Sequence, residues 1–305
     1  MKLIINKKGI EMPFAWIFAL IIGGVILLLA FIFSGKILNT GTYATEAELA
    51  RSLDILLNPF SSIRQADVTL SKPIDLPEKT EVTFSCNALS DSQSITVSIE
   101  RGKKPFVYPI KNKYIFSENF NTKSLRVFGK TFDMPWKVDD LTYVLSKDYC
   151  FVKAPPKIEK ELEDLNITKI TLVNAATDPK CQNKVTVCFA GMLGVCNIKV
   201  DYTGKTLTVN KTTLKFLDDS TMYAAIFDSK NYNCNLNRTM KRLALQADIL
   251  LQKADKLASE GCTDLSDLRQ DILAMKTAAS NKDYLNVLSY AQAIETKNPD
   301  TCPLY

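Results

Sequence analysis

The chain has 305 residues, with 38 Lys+Arg against 33 Asp+Glu for a formal charge of +5, 46% hydrophobic residues, 8 Cys and no His. Its length and apolar content suffice for a substantial core in one or two domains, while the mild charge excludes the dense basic face of a nucleic-acid binder. Without His, no Ser-His-Asp or Cys-His nucleophile pair and no HExxH zinc site can form.

Pro13 to Phe33 carries no charged side chain. As a helix it reaches roughly 30 Å, the thickness of a bilayer core, so it is expected to be an uncleaved single-pass anchor in the lipid bilayer. Lys2, Lys7 and Lys8 precede it, whereas residues 34–53 hold only Lys36 and Arg51. This bias keeps residues 1–12 as a cytoplasmic tail and places residues 34–305 outside. Ala15, Ala19 and Gly23 recur every four residues, a smooth face that permits self-association in the membrane.

Residues 34–59 are expected to form a juxtamembrane helix or stalk. Thr45-x-x-Glu48 is a capping box, Leu49, Leu53, Leu56 and Leu57 make one stripe, and Pro59 ends the run. Glu46, Arg51 and Asp54 are expected on the solvated face. The helix either continues the anchor or folds back on the domain.

From residue 60 the apolar period shortens toward two. Val68–Leu70, Glu81–Phe84, Ser94–Ile99 and Leu125–Phe128 are expected strands, punctuated by Pro73, Pro77, Pro105 and Pro109. Tyr149–Val152, a helix opened by Pro155-Pro156 with Ile158, Leu162 and Leu165 on one face, and Ile167–Val173 read as a βαβ crossover with parallel strands. Lys184–Phe189 and Val195–Asp201 are expected to pair as a hairpin, followed by a turn at Thr203-Gly204 and a strand at Thr206–Asn210. Residues 60–232 are thus expected to be a mixed α/β ectodomain.

Residues 233–305 are expected to form an antiparallel three-helix bundle. Leu236, Met240, Leu243, Ala247, Leu250, Ala254 and Leu257 make a continuous seam, stopped by Gly261. Leu265, Leu268, Ile272 and Met275 mark a second helix. Ser280-x-x-Asp283 opens a third, faced by Tyr284, Val287, Leu288, Ala291 and Ile294. The overall class is α+β.

All eight cysteines (Cys86, Cys150, Cys181, Cys188, Cys196, Cys234, Cys262 and Cys302) lie beyond the anchor, and no CxxC occurs. Structural disulfides are the expected use, although sequence leaves their connectivity open. The bundle returns Cys302 to Cys262, the hairpin faces Cys188 to Cys196, and Cys86–Cys150 with Cys181–Cys234 remain by elimination. Asn166, Asn210 and Asn237 begin Asn-x-Thr sequons, candidates for glycosylation.

Chemical motifs are sparse. Gly129-Lys-Thr131 and Gly204-Lys-Thr206 lack the upstream glycine of a phosphate loop and are expected to be turns. Asp139-Asp140 and Asp218-Asp219 offer adjacent carboxylates for metal-assisted or acid/base work, against solvated loops or helix starts as the bland reading. Phe128–Trp136 holds three aromatics that form either core or a ligand-binding rim. No cofactor is expected.

Two resemblances add to this. Lys7-Lys8-Gly9-Ile10-Glu11, leading into the apolar helix, resembles the class III signal of type IV pilins and archaellins, cut after the Gly. It departs from it in placing the acid second rather than fifth after that Gly, and in an early Pro13. Residues 12–27 (MPFAWIFALIIGGVIL), 113–120 (KYIFSENF), 133–144 (DMPWKVDDLTYV), 149–165 (YCFVKAPPKIEKELEDL) and 222–235 (MYAAIFDSKNYNCN) are similar to uncharacterised single-pass surface proteins of small-genome archaea. That resemblance implies location and architecture, and makes N-glycans at the sequons reasonable, but it implies no site residues.

The expected function is a membrane-anchored extracytoplasmic module, not an enzyme, that binds another surface protein or an envelope component. A pilin-like filament subunit and a carboxylate-dependent surface hydrolase are the alternatives.

Overall fold

The computed structural model describes residues 22–28, 45–57, 68–70, 73–87, 92–99, 105–189, 196–262, 265–298 and 303–305. Of the expected anchor only residues 22–28 fall among these; they are helical and exposed, and a Cβ at Gly23 would meet nothing within 4 Å. Ala15, Ala19 and the rest of the span lie outside the described residues. No helix among the described residues is long and apolar enough to cross a membrane.

Helix α1 (residues 45–56) lies against a seven-stranded sheet rather than standing free. Ala50, Leu53 and Leu57 are buried in one cluster with Val82, Phe84 and Ile95, whereas Ile55 and Leu56 point outward. Two acids expected in solvent are instead anchors. Glu46 is 2% exposed and its Oε1 accepts from the Ile99 amide (2.9 Å), and Asp54 pairs with Lys113 at 2.5 Å. Periodicity locates the apolar stripe of a helix; it says nothing of polar groups at the stripe's edge that meet partners on the sheet.

The sheet contains β1 (Val68–Leu70), β2 (Ile74–Asn87), β3 (Ser92–Ser98), β4 (Phe106–Ile110), β5 (Tyr114–Phe116), β6 (Phe120–Asp133) and β7 (Lys137–Leu145). Its order is β4-β3-β2-β6-β7-β5, with β1 also on β6. Every pairing is antiparallel except β5 with β7. The prolines behave as their chemistry requires: Pro109 sits in edge strand β4, and Pro77 falls where the β2 register shifts between Asp75 and Thr80. Gly129-Lys-Thr131 is no turn but the interior of β6, with Gly129 opposite Thr142.

Strand β6 divides two cores. Val127 belongs to the α1 cluster, while its neighbour Phe128 belongs to a larger cluster on the opposite face. The larger core is closed by a second, six-stranded sheet of β8 (Tyr149–Val152), β9 (Ile170–Val173), β10 (Val185–Phe189), β11 (Ile198–Asp201), β12 (Thr206–Val209) and β13 (Thr212–Lys215), in the order β13-β12-β11-β10-β8-β9. Helix α2 (Pro156–Leu165) makes the crossover between β8 and β9, which are parallel as its pattern requires.

The expected hairpin of β10 with β11 does not form, because these two strands run parallel. Asn197 holds the entry to β11 beside β10: its Oδ1 accepts from the Thr186 amide and hydroxyl, both at 2.9 Å, and its own amide donates to Thr186 Oγ1 (3.1 Å). Cys188–Cys196 spans the same connection, so the expected bond exists across a different geometry. The Gly204 turn then reverses the chain into β12. A Cβ there would lie 2.4 Å from Asp201 Oδ2, so a side chain at this position would displace the carboxylate whose Oδ1 accepts from the Gly204 amide (2.8 Å).

Helix α3 (Asp219–Phe227) was not expected. All nine of its residues are buried, and it packs against β6, β7 and β12, between the two sheets. A helix buried all round, with its polar residues confined to the first turn, presents no 3.6-residue period to read. Three further helices follow: α4 (Tyr232–Ser259), α5 (Ser266–Ser280) and α6 (Tyr284–Lys297). The seam residues are buried or half-buried, and Gly261 (φ 109°) takes the positive-φ conformation expected after α4. Asp283 caps α6 itself, accepting from Asn286 N, instead of lying in its first turn. The first turns of α4 continue the larger core, and α5 and α6 pack outward in succession.

Two disulfides correct the pairing reached by elimination. Cys86 bonds Cys234, joining β2 to α4, and Cys150 bonds Cys181, joining β8 to a short 3-10 turn at Pro179–Cys181. Cys262 is also disulfide-bonded, while Cys302 lies outside the described residues.

Candidate functional site

Buried charge concentrates at the N-terminus of α3. Asp218 is its cap: Oδ1 accepts from the Thr221 amide (2.9 Å) and hydroxyl (2.6 Å), and the Ser220 hydroxyl donates to the same carboxylate (2.7 Å to Oδ2). Burial nevertheless raises the Asp218 pKa above the ordinary carboxylate value. Ser220 and Thr221 are 0% and 1% exposed with their hydroxyls committed to Asp218, so neither is presented as a nucleophile.

Asp219, the next residue, joins three elements. Its Oδ1 accepts from the Tyr202 hydroxyl (2.7 Å) and its Oδ2 from Lys157 Nζ (2.6 Å). Burial alone would raise its pKa, but the Lys157 ammonium, the Tyr202 hydroxyl and the Lys130 charge outweigh it and hold the carboxyl below its usual value. One turn along α2 from Lys157, Glu161 pairs with Lys130 of β6 at 2.7 Å, both side chains being nearly closed to water. The hydroxyl of Tyr223 and Oε1 of Glu161 are buried without a hydrogen-bond partner among the described residues. Burial first, then the nearby Glu161 and Asp219 charges, push the Tyr223 phenol well above its ordinary pKa.

This arrangement sets two ion pairs side by side, Lys157–Asp219 and Lys130–Glu161, among α2, α3 and β6, with the Tyr202 hydroxyl after β11 bonded to Asp219. Only Lys157, with 72% of its side chain exposed, opens to solvent. Such a set of ion pairs holds elements in place and disfavours uptake of a further ion. Sequence reasoning reached Asp218 and Asp219 but missed Lys130, Lys157, Glu161, Tyr202 and Tyr223. Two signals were readable: Lys157 and Glu161 are four apart on α2, and Asp218-x-x-Thr221 is a cap.

Asp139 and Asp140 do not converge. They are consecutive in β7, from which side chains leave on alternate faces. Asp139 approaches Arg242 of α4 (3.8 Å), and burial raises its pKa; Asp140 is 3% exposed and pairs with Lys137 at 2.7 Å. No group of acids or cysteines suited to a metal ion occurs among the described residues. The Phe128–Trp136 aromatics are core, not rim: Phe128 and Phe132 are fully buried, and Trp136 donates from Nε1 to Gln246 Oε1 (3.1 Å).

The three sequons differ in access. Asn166 follows α2 and Asn210 lies in the β12–β13 turn, both exposed with positive φ (45° and 48°). Asn237 lies within α4, its Oδ1 accepts from the Tyr284 hydroxyl (2.9 Å), and its partner Thr239 is 1% exposed. On the outer surface, α5 and α6 leave a cleft of about 420 Å³ between them.

No protein-family model, curated protein or solved structure matches this chain.

Proposed function

We propose that the chain is a membrane-anchored extracytoplasmic module that binds a partner or helps build the cell envelope, held to the bilayer by residues 13–33. The carrying observation is cysteine usage: no free thiol occurs among the described cysteines, and the bonds join β2 to α4, β8 to its neighbouring turn, and both ends of the β10–β11 connection. Cytosolic thiol pools keep such cysteines reduced, so this framework suits an oxidising space. The uncharged stretch from Pro13 to Phe33 and the basic residues before it supply the matching anchor and direction. A binding role is supported by the open α5–α6 cleft.

The test combines fractionation with thiol trapping in the native cell. The chain is expected in the membrane pellet, trimmed by protease added to intact cells, and unreactive to alkylating reagent until reduced. A soluble chain with eight alkylatable thiols would overturn the reading.

A further inference from the structure

We infer that the cleft between α5 and α6 is a binding site for a neutral carbohydrate chain, which names the partner class of the module proposed above and rests on that reading. The cleft is an open surface groove of about 420 Å³, a volume within the range of small-ligand sites. Its floor is made by Ala274 and Ala278, whose small side chains leave room between the helices. Around it stand Gln270, Thr277 and Asn281 from α5 and the turn that follows, and Asn286 and Tyr290 from α6.

Several of these polar groups, exposed at the groove, have no side-chain partner among the described residues. The amides of Gln270 and Asn281 and the Tyr290 hydroxyl make no side-chain hydrogen bond among the described residues, although each belongs to the cleft wall. Asn286 donates from Nδ2 to Asp283 (2.6 Å), which leaves its amide oxygen as an acceptor. Tyr290 is half-buried and packs against the larger core, so its ring is a fixed platform.

The charge pattern selects among ligands. Among the described residues no Lys or Arg lines the cleft, and Arg269, Lys276 and Lys297 of these helices pair elsewhere, with Asp255, Asp248 and Asp271. Lys282, in the α5–α6 turn, is exposed and not part of the wall. A phosphate or carboxylate ligand would therefore meet Asp283 with no compensating charge. Both walls are helices whose backbone groups are consumed internally, so an extended peptide finds no edge on which to form a ladder. An amphipathic helix would need several apolar anchors, and among the described residues Leu273 is the one large aliphatic side chain in the wall. Amide groups that donate and accept, a carboxylate and an aromatic face match a sugar's alternating hydroxyls and its C–H face.

The experiment uses the full chain in a zwitterionic, sugar-free detergent and reads saturation-transfer NMR from mannotriose, maltotriose and chitotriose. Sialyllactose and a neutral Ala/Ser hexapeptide serve as comparison probes. At least one neutral trisaccharide is expected to receive transfer and to bind about tenfold more weakly to Tyr290→Ala and to Asn281→Ala, with no change in Leu245→Ala on α4. Asn281 is exposed, so its variant separates lost binding from lost folding. No transfer to any neutral trisaccharide, equal binding by the Asn281 variant, or stronger binding of the hexapeptide or sialyllactose would overturn the assignment. Failure here leaves the fractionation result untouched, and a cytosolic location would leave the binding result standing without an envelope glycan as its source.

Discussion

Lys113 fastens α1 to the seven-stranded sheet: its ammonium lies 2.5 Å from Asp54 Oδ1 and 2.7 Å from the Asp54 carbonyl oxygen. The two side chains are unequally buried, 10% exposed for Lys113 and 22% for Asp54. Removing the acid leaves the more buried charge unpaired. Asp54→Ala should therefore cost about 3 kcal/mol and Lys113→Met about 1–2 kcal/mol. Amide exchange within α1, compared with exchange in β6, checks this. An equal loss in both variants would contradict the burial argument.

Asp228, at the end of α3, makes stability depend on pH. It is fully buried, and its Oδ1 accepts from the Asn231 amide (3.1 Å) and side chain (3.2 Å). Burial raises its pKa from 3.8 to about 6, against the lowering effect of those bonds. A raised carboxyl favours the protonated folded state. Its contribution is complete below about pH 3.8, falls as pH rises through 6, and by pH 7 has changed by about 3 kcal/mol. Asp228→Asn abolishes this titration, so the stability of wild type relative to the variant should fall by that amount between pH 3.5 and 7. A constant difference across the range would show that Asp228 titrates normally.

The partnerless pair beside α3 predicts opposite effects from two small changes. Tyr223→Phe removes a buried hydroxyl that has no hydrogen-bond partner within bonding geometry among the described residues, and should stabilise the protein by about 1 kcal/mol. Glu161→Leu strands the Lys130 ammonium, 8% exposed, and should destabilise by about 3 kcal/mol, largely recovered when Lys130→Met is added. Denaturant midpoints decide the matter. A clear loss in Tyr223→Phe would reveal a partner for that hydroxyl.

The Cys86–Cys234 bond closes a separation of 148 residues between β2 and α4. Replacing both cysteines with Ala should cost about 2–5 kcal/mol, because the unfolded chain regains the entropy that the bond removes. Replacing Cys188 and Cys196, only 8 residues apart, should cost less. Equal losses would place the bonds' effect in the folded state.

If the chain is exported in a glycosylating cell, modification should be confined to Asn166 and Asn210. The Asn237 side chain is held by Tyr284, and Thr239 is closed to solvent, so a transferase cannot engage that sequon once α4 has formed. Peptide mass mapping of the native protein checks the distribution; a glycan at Asn237 would require modification before folding.

The site was legible only in fragments. Asp218 and Asp219 stood out as adjacent acids, but their division of labour, one capping α3 and one pairing with Lys157 and Tyr202, depends on residues far away in the chain. Tyr223 was invisible because it sits in a helix without a polar face. The cleft residues likewise look like the ordinary outer surface of two helices until the packing of α5 on α6 brings Asn281, Asn286 and Tyr290 around one space.

Residue order alone determined the seam of α4, the faces of α5 and α6, and the parallel β8–β9 crossover through α2. Each of these is a local pattern of apolar side chains with a short connection, and local sterics convert such patterns directly into geometry. Only the tertiary structure decided that α1 lies on the sheet through Glu46 and Asp54, that β11 runs beside β10 in the same direction, and which cysteines meet. Those outcomes depend on the closing of distant segments over two cores, where hydrogen-bond satisfaction and packing select one arrangement among several that the local pattern permits equally.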